Sequence, residues 1–386
     1  MVKKSKIKRL EKKLKVSHVV PATPGACGMY ETARELVLAE RRLGINAHIV
    51  DPRPTEEQAK GKSQKQIKKI KCPKCKSDFD MILSERPMPH GPKGWTEDRG
   101  VSIAPHSFLY ESDVIVSHSG LGDNFNDCNV PRIHVAHGRP NSSYRIEQSG
   151  QTPIYSIYKK MNDDPKWKVM VTLWPSFKKY WELIFKDVRA FNSFVDLDHW
   201  QRTDELYDFG GKKGDVNVVI TDIWRMDKDP FHVVNAFALF AEKVPNAKLH
   251  VYGLSPNSRG RDVLFYSLNE KGFMGEMKPH VDDLKPIYSA ADMLITPHNM
   301  ATRTVRESLA CGTQLIAGSG NPFTSYTADP EDLEAYSNVM ERASIDWKND
   351  KEACIIRNRK IAEKEFNAMD TAQQFVNLFN EIRGVA

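Results

Sequence analysis

The residues able to do chemistry gather where short apolar runs stop. In "DVIVSHSGLGDNF" and "RIHVAHGRP", His118 and His137 each fall at the carboxyl end of a strand-like run. An imidazole can donate to a hydroxyl or take its proton near neutral pH, which suits sugar or acyl chemistry. One such histidine is as readily a cap or a core residue; two on neighbouring strand ends argue for a site. In "TDIWRMDKDPFHVV", Arg225 and Lys228 stand in the loop between a strand and a helix. Cations beside free helix amides are what a diphosphate leaving group needs, though two solvated surface cations fit the same stretch. In "TPHNMATRTVRESLACGTQLIAG", Thr302, Arg303 and Thr304 converge on the start of a short helix that carries Glu307 in its first turns. That carboxylate can accept from the vicinal hydroxyls of a ribose, or simply complement the helix dipole. Gly312 then turns the chain into the apolar run "TQLIAG".

Two weaker signals complete the set. In "VVPATPGACGMYETARE", Gly25 and Gly28 let the backbone approach an anion at a helix N-terminus; a tight strand-to-helix turn explains them equally. The dinucleotide pattern G-x-G-x-x-G is absent. Cys72 and Cys75, in "CPKC", form half of a zinc knuckle, which Cys128 or His90 would complete only through the fold; thiols without a metal are the other reading.

These residues need a scaffold, and the chain alternates the elements of one. "AHIVD", "DVIVSH", "RIHVAHG", "KVMVTLW" and "VRAFNSF" are separated by helical patterns, and after "YDFGGKKGD" the rhythm restarts with "VNVVITDI", "KLHVYG", "DMLITPH" and "QLIAG". Short β-branched runs alternating with amphipathic helices such as "FHVVNAFALFAEKV" predict parallel sheets covered by helices. The expected architecture is α/β, two doubly wound Rossmann-like domains facing a central cleft. Residues 1–205 form the first and 206–370 the second, with the last helix, Thr371 to Arg383, crossing back to the first domain. Residues 54–105, polar and Lys-rich with little helical or strand period, read as an insertion. At 386 residues the chain exceeds one compact core, and 40% hydrophobic with 27% charged residues is ordinary for a soluble protein.

The charge is local. Residues 1–16 hold eight Lys or Arg against one Glu, and residues 60–76 hold eight Lys and no acid, whereas the whole chain is only +6. Solvated arms or contact with the phosphates of nucleic acid or lipid both fit. No apolar run approaches the roughly 20 residues that span a bilayer. No signal peptide is expected after "MVKKSKIKRLEKKLK", and six cysteines in this length do not make a disulfide framework, so a cytoplasmic setting is expected.

Four blocks, in order, resemble the group 1 retaining glycosyltransferases of GT-B fold. "AFNSFVDLDHW" looks like the family's inter-domain passage. "VVITDIWRMDKDPFHVVNAFALFAEKVPNAKLHVYG", "GFMGEMKPHVDDLKPIYSAADMLITP" and "RESLACGTQLIAG" look like the blocks of its second domain. The resemblance implies transfer of a sugar from a nucleotide sugar, first among them a UDP-sugar, to an acceptor hydroxyl with retained configuration. It assigns Glu307 to the donor ribose, Lys228 to the diphosphate with Arg225 as a stand-in partner, and His118 to catalysis. Asn299 stands where the family has its first motif glutamate, and "MATR" replaces the adjoining glycines, with Arg303 able to supply charge. A base pocket is expected around Met277 to Val281. No catalytic metal is expected, although Asp196/Asp198 and Asp227/Asp229 are Asp-x-Asp pairs. The acceptor is the open point: DNA carrying a hydroxylated base and a lipid-linked or polysaccharide acceptor both suit the basic segments. The competing class is a GT-B scaffold without activity that binds nucleic acid, which the asparagine at 299 favours.

Overall fold

The computed structural model describes residues 13–20, 28–50, 67–71, 78–82, 101, 103–104, 106–118, 128–138, 154–222, 231–253, 261–278, 281 and 283–384. They divide into two compact units, Met1–Ser193 together with Ala368–Ala386, and Phe194–Asn367.

The first unit is built on a parallel sheet. Its strands are β1 (Lys15–Val19), β2 (Asn46–Val50), β5 (Ile103–Ala104), β6 (Val114–His118), β7 (Arg132–Ala136), β8 (Trp167–Thr172) and β9 (Val188–Ala190), ordered 5-2-1-6-7-8-9. Every residue of β6 and β7 is buried, because the sheet is covered on both faces. Helix α1 (Gly28–Arg42) buries Ala33, Leu36, Val37 and Glu40 on one stripe. Gly44, at φ 87°, closes it, with Ile45 N–H returning to the Glu40 carbonyl at 3.0 Å. Two further helices, α2 (Ile154–Asp163) and the short α3 (Lys178–Trp181), precede β8 and β9 respectively. Within 54–105 the described residues form strands that the period of the sequence does not show. Strands β3 (Ile67–Lys71) and β4 (Asp78–Ile82) pair antiparallel, and β5 extends the edge of the main sheet.

The second unit repeats the plan. Strands β10 (Val216–Ile220), β11 (Ala247–Tyr252), β12 (Met274–Lys278), β13 (Met293–Ile295), β14 (Gln314–Gly318) and β15 (Thr327–Ala328) take the order 12-11-10-13-14-15. Helices α4 (Phe231–Lys243), α5 (Arg261–Glu270), α6 (Lys285–Ala290), α7 (Arg303–Ala310), α8 (Leu333–Asn349) and α9 (Lys351–Glu365) complete it. Helix α4 sends Val233, Val234, Phe237, Phe240 and Ala241 into the core against Val218, Ile220, Leu249 and Val251. At about 1.5–3 kcal/mol for each large apolar side chain, this stripe fixes the helix to the sheet. Asp332 and Asp350 cap α8 and α9 through the backbone amides of Ala335 and Ala353, each at 3.0 Å. The terminal helix α10 (Ala368–Arg383) packs on α1 of the first unit, where Glu381 meets Arg189 at 2.7 Å and Phe375 meets Phe191 edge-on. Among the described residues no helix is long and apolar enough to cross a membrane.

Each sheet reverses its strand order once beside its first strand, between β1 and β6 and between β10 and β13. Ligands of open parallel sheets bind at the carboxyl ends of the strands flanking such a reversal.

Burial makes the fold acid-sensitive. It pulls His134 and His250 down to about 4, and His48 to about 3 with help from Arg41. These values lie below the ordinary 6.5, so the unfolded chain takes up protons first. Stability is therefore whole above pH 6.5 and is lost as pH falls through that window, by about 1.4 kcal/mol per pH unit for each histidine. Urea midpoints followed by circular dichroism should hold above pH 7 and fall steeply between pH 6.5 and about 4. His134→Leu, at a site packed against Tyr158 and Trp167, should flatten that slope by one histidine's share; an unchanged slope would mean His134 is charged in the folded protein.

Candidate active site

At the first reversal three imidazoles and a carboxylate form a continuous row. Glu40, on the buried stripe of α1, meets His18 Nε2 with Oε2 at 2.8 Å. His18 Nδ1 lies 2.9 Å from His118 Nε2, and His118 Nδ1 lies 2.7 Å from His137 Nε2. Because β1 and β6 are parallel neighbours in register, with His18 opposite Val116, the two strands bring His18 and His118 to the same end. Glu40, His18 and His118 are completely buried, and His137 is the partly exposed member. Trp174 Nε1–H donates to the His137 carbonyl at 3.0 Å and holds the strand end. Burial, then the neighbouring rings of His137 and His18, hold His118 well below the ordinary imidazole value, so it is neutral at pH 7.

At the second reversal one carboxylate organises the loop before α7. Asp222 follows β10 and is 1% exposed. It accepts from Thr296 Oγ1 at 2.8 Å, from His298 Nε2 at 3.3 Å and from Thr304 Oγ1 at 3.3 Å. Thr302 and Thr304 hydroxyls lie 2.9 Å apart at the helix start. Close packing requires Gly318, since a Cβ there would fall 2.2 Å from the Pro297 carbonyl oxygen. One turn into α7, Glu307 is buried and pairs through Oε1 with Arg303 Nε at 2.5 Å, while the Arg303 guanidinium lies 5.9 Å from the Trp200 ring centre. Burial and then the Glu307 charge push the Cys311 thiol up to about 12 and raise the Tyr288 phenol, whose hydroxyl meets Thr221 Oγ1 at 2.8 Å. The site thus sets an arginine–glutamate pair, two threonine hydroxyls and the amides of a helix start at a strand end, a surface suited to hydroxyls and anions. Gly312, at φ 83°, makes the turn that leads from α7 into β14.

The structure brings His118 and His137 into contact, and likewise Arg303 and Glu307, with Thr304 reaching Asp222. Asn299 is exposed in the loop ahead of α7, and Gly28 is the exposed first residue of α1. Met277 lies exposed on the edge strand β12, beside Glu276, which accepts from the Tyr207 and Tyr252 hydroxyls. Gly25, Arg225, Lys228, Cys72 and Cys75 lie outside the described residues, as do Asp227 and Asp229. Asp196 is 4% exposed and accepts from the Asp198 amide at 3.2 Å, a local turn. Among the described residues no group of three or more His, Cys, Asp or Glu side chains is placed to hold a metal ion. Sequence reasoning passed over His18, Glu40, Asp222 and His298. The signal was present for two of them, a histidine inside the apolar run "KVSHVV" and a glutamate on the apolar stripe of α1.

No family model and no curated protein matches the chain. Solved structures do. Sucrose-phosphate synthase of Thermosynechococcus elongatus superposes at TM-score 0.69 over 97% of this chain and 100% of its own, at 16% identity. The chain has the GT-B fold. A glycosyltransferase of Rickettsia africae gives TM-score 0.61 at 14% identity, over 96% of this chain and 98% of its own. The pneumococcal O-GlcNAc transferase, solved with UDP and GlcNAc, gives 0.60 at 11% identity, over 96% and 99%. At these identities the likeness is one of fold, and it spans both units. The sequence expectation of two doubly wound α/β domains is borne out by the sheets themselves.

Proposed function

We propose that the chain is a retaining glycosyltransferase that moves a sugar from a nucleotide-sugar donor to an acceptor hydroxyl. The observation that carries this reading is the arrangement at the second reversal of a GT-B chain, with Arg303 at the head of a helix pinned by Asp222 and buried Glu307 paired to it one turn on. In the reading, Glu307 accepts from the ribose hydroxyls, and the start of α7 with Arg303, Arg225 and Lys228 holds the diphosphate. As the bond from the anomeric carbon to the diphosphate oxygen breaks, negative charge grows on the leaving group and positive charge on the sugar. Cations and helix amides stabilise the first without a metal ion. His137, with His118 behind it, faces the acceptor side, and Asn299 takes the place of a carboxylate near the sugar. Gly25 and Gly28 are read as the backbone that approaches the ligand ahead of α1. The pneumococcal O-GlcNAc transferase of the same fold was solved with UDP and GlcNAc, which supports a UDP-sugar as the first donor to try.

The acceptor in this reading is a hydroxyl on a polyanion, for which the Lys-rich segments at 1–16 and 60–76 supply counter-charge. A hydroxylated base in duplex DNA and a lipid-linked or polysaccharide acceptor share that chemistry. The testing experiment is a thermal-shift and calorimetric screen of UDP-, GDP- and ADP-sugars, followed by assay of nucleoside diphosphate release. Stabilisation by one nucleotide and its sugar, by about 2.7 kcal/mol at 100 times Kd, is the expected result. Absence of binding for every donor would replace the enzyme by a non-catalytic GT-B scaffold. Transfer to hydroxymethylated duplex DNA, compared with acceptor lipid in anionic vesicles, separates the two acceptors.

A further inference from the structure

The row of Glu40, His18, His118 and His137 does more than pack. In the middle of an apolar sheet, three rings and a carboxylate with contacts of 2.7–2.9 Å have strictly linked proton positions, because each ring nitrogen pair must supply one donor and one acceptor. If Glu40 is ionised, it accepts from His18 Nε2–H. A neutral His18 then accepts at Nδ1 from His118 Nε2–H, and His118 accepts at Nδ1 from His137 Nε2–H. Adding one proton reverses every bond: His18 donates to His118, and His118 donates to His137. The row therefore has two directions that differ by a single proton.

We infer that the row is a proton relay in which Glu40 and His18 are positioning residues that set the tautomers of His118 and His137. A proton arriving at Nδ1 of His137 forms an N–H bond there. The Nε2 proton of His137 passes to Nδ1 of His118, the Nε2 proton of His118 passes to Nδ1 of His18, and the Nε2 proton of His18 passes to Oε2 of Glu40. Each ring that gains a hydrogen at Nδ1 gives one up at Nε2, so all three rings end neutral and the carboxylate becomes the acid. Among the described residues nothing hydrogen-bonds Oε1 of Glu40. Oε2 of Glu40, 2.8 Å from His18 Nε2, is thus the end of the row at which the proton comes to rest. The other titratable rings facing the row are His134, beside His118, and His48, beside His18 and itself bonded to Arg41 at 3.1 Å. Both are held neutral by burial, so neither competes for the proton near pH 7. For the proposed transfer, on which only this use of the relay rests, the proton is that of the acceptor hydroxyl as its oxygen bonds to the sugar.

The test is nitrogen NMR of the full chain with labelled histidine, assigned by single substitutions among its 12 histidines. The wild-type protein should show His18, His118 and His137 changing tautomer together at one pH midpoint. In Glu40→Gln, of equal size, that joint transition should vanish while His134 and His48 signals stay in place. In the transfer assay, kcat of Glu40→Gln should fall at least about tenfold with donor KM unchanged, and Glu40→Asp should restore part of it. Three histidines that titrate independently in the wild type overturn the relay, whatever the activity. A joint transition in a protein that binds no nucleotide sugar leaves the relay standing and removes the glycosyltransferase reading instead.

Discussion

Glu307→Gln is expected to weaken nucleotide-sugar binding about 100-fold in calorimetry while leaving the secondary structure intact. The wild-type carboxylate is 3% exposed and lies one turn into α7, the helix whose start Asp222 holds through Thr304. Two charge-assisted hydrogen bonds to vicinal hydroxyls contribute about 1.5–3 kcal/mol each, and losing the charge removes roughly half of that sum, or about 2.7 kcal/mol. The variant also weakens the pair with Arg303, whose side chain is 16% exposed and so has water to fall back on. The accompanying loss of stability should therefore stay near 1–2 kcal/mol, below the 3–5 kcal/mol for breaking a fully buried pair. Glu307→Ala should remove binding altogether and cost more stability, since it also opens a cavity. The opposite pattern, native affinity for nucleotide with a large fall in melting temperature, would make Glu307 a structural partner of Arg303 and nothing more.

The same residues explain how far the sequence reached. Strands such as "DVIVSH" and "QLIAG" are buried on both faces, so their apolar runs announce them, and β6 and β14 fall on those runs. Strand β12 alternates half-buried and exposed positions at a sheet edge, and "MGEMK" has no run to read. The hairpin of β3 and β4 escaped for a related reason, since five-residue strands amid lysines carry too little period. At the candidate site, His118, His137 and Glu307 were legible as candidates because they lie at strand ends or in the first turns of a helix. His18 and Glu40 were not, because their roles depend on pairing between elements 22 residues apart in the chain, and His118 lies a further 100 residues from His18. Distance in sequence hides what register and a shared helix stripe bring together. Asp222 was hidden differently: its partners Thr296, His298 and Thr304 lie 74 to 82 residues ahead, and two loop residues and one from a helix's first turn look ordinary until the carboxylate is placed among them.

That carboxylate gives the second large effect. Asp222→Ala should destabilise the chain by about 3–5 kcal/mol and reduce donor affinity further than the loss of any single loop hydroxyl. Three donors converge on it, all from buried or half-buried groups, and alanine leaves each to find water it does not have. Each stranded donor costs about 1–3 kcal/mol, with some relaxation bringing the sum to the stated range. Asp222→Asn should behave otherwise, costing about 1.5 kcal/mol or less. Oδ1 still accepts from His298 and Thr304, and the amide nitrogen that replaces Oδ2 meets the Thr296 hydroxyl, which can rotate to accept. The contrast between the two variants, read from urea midpoints, separates geometry from charge. If asparagine proved as harmful as alanine, the negative charge itself would be holding the loop, and the start of α7 would be organised by electrostatics instead of hydrogen-bond count. If alanine proved mild, the loop would be held by Gly318 and Asn321, whose amide donates to the His298 carbonyl at 3.2 Å, and Asp222 would be left for the ligand.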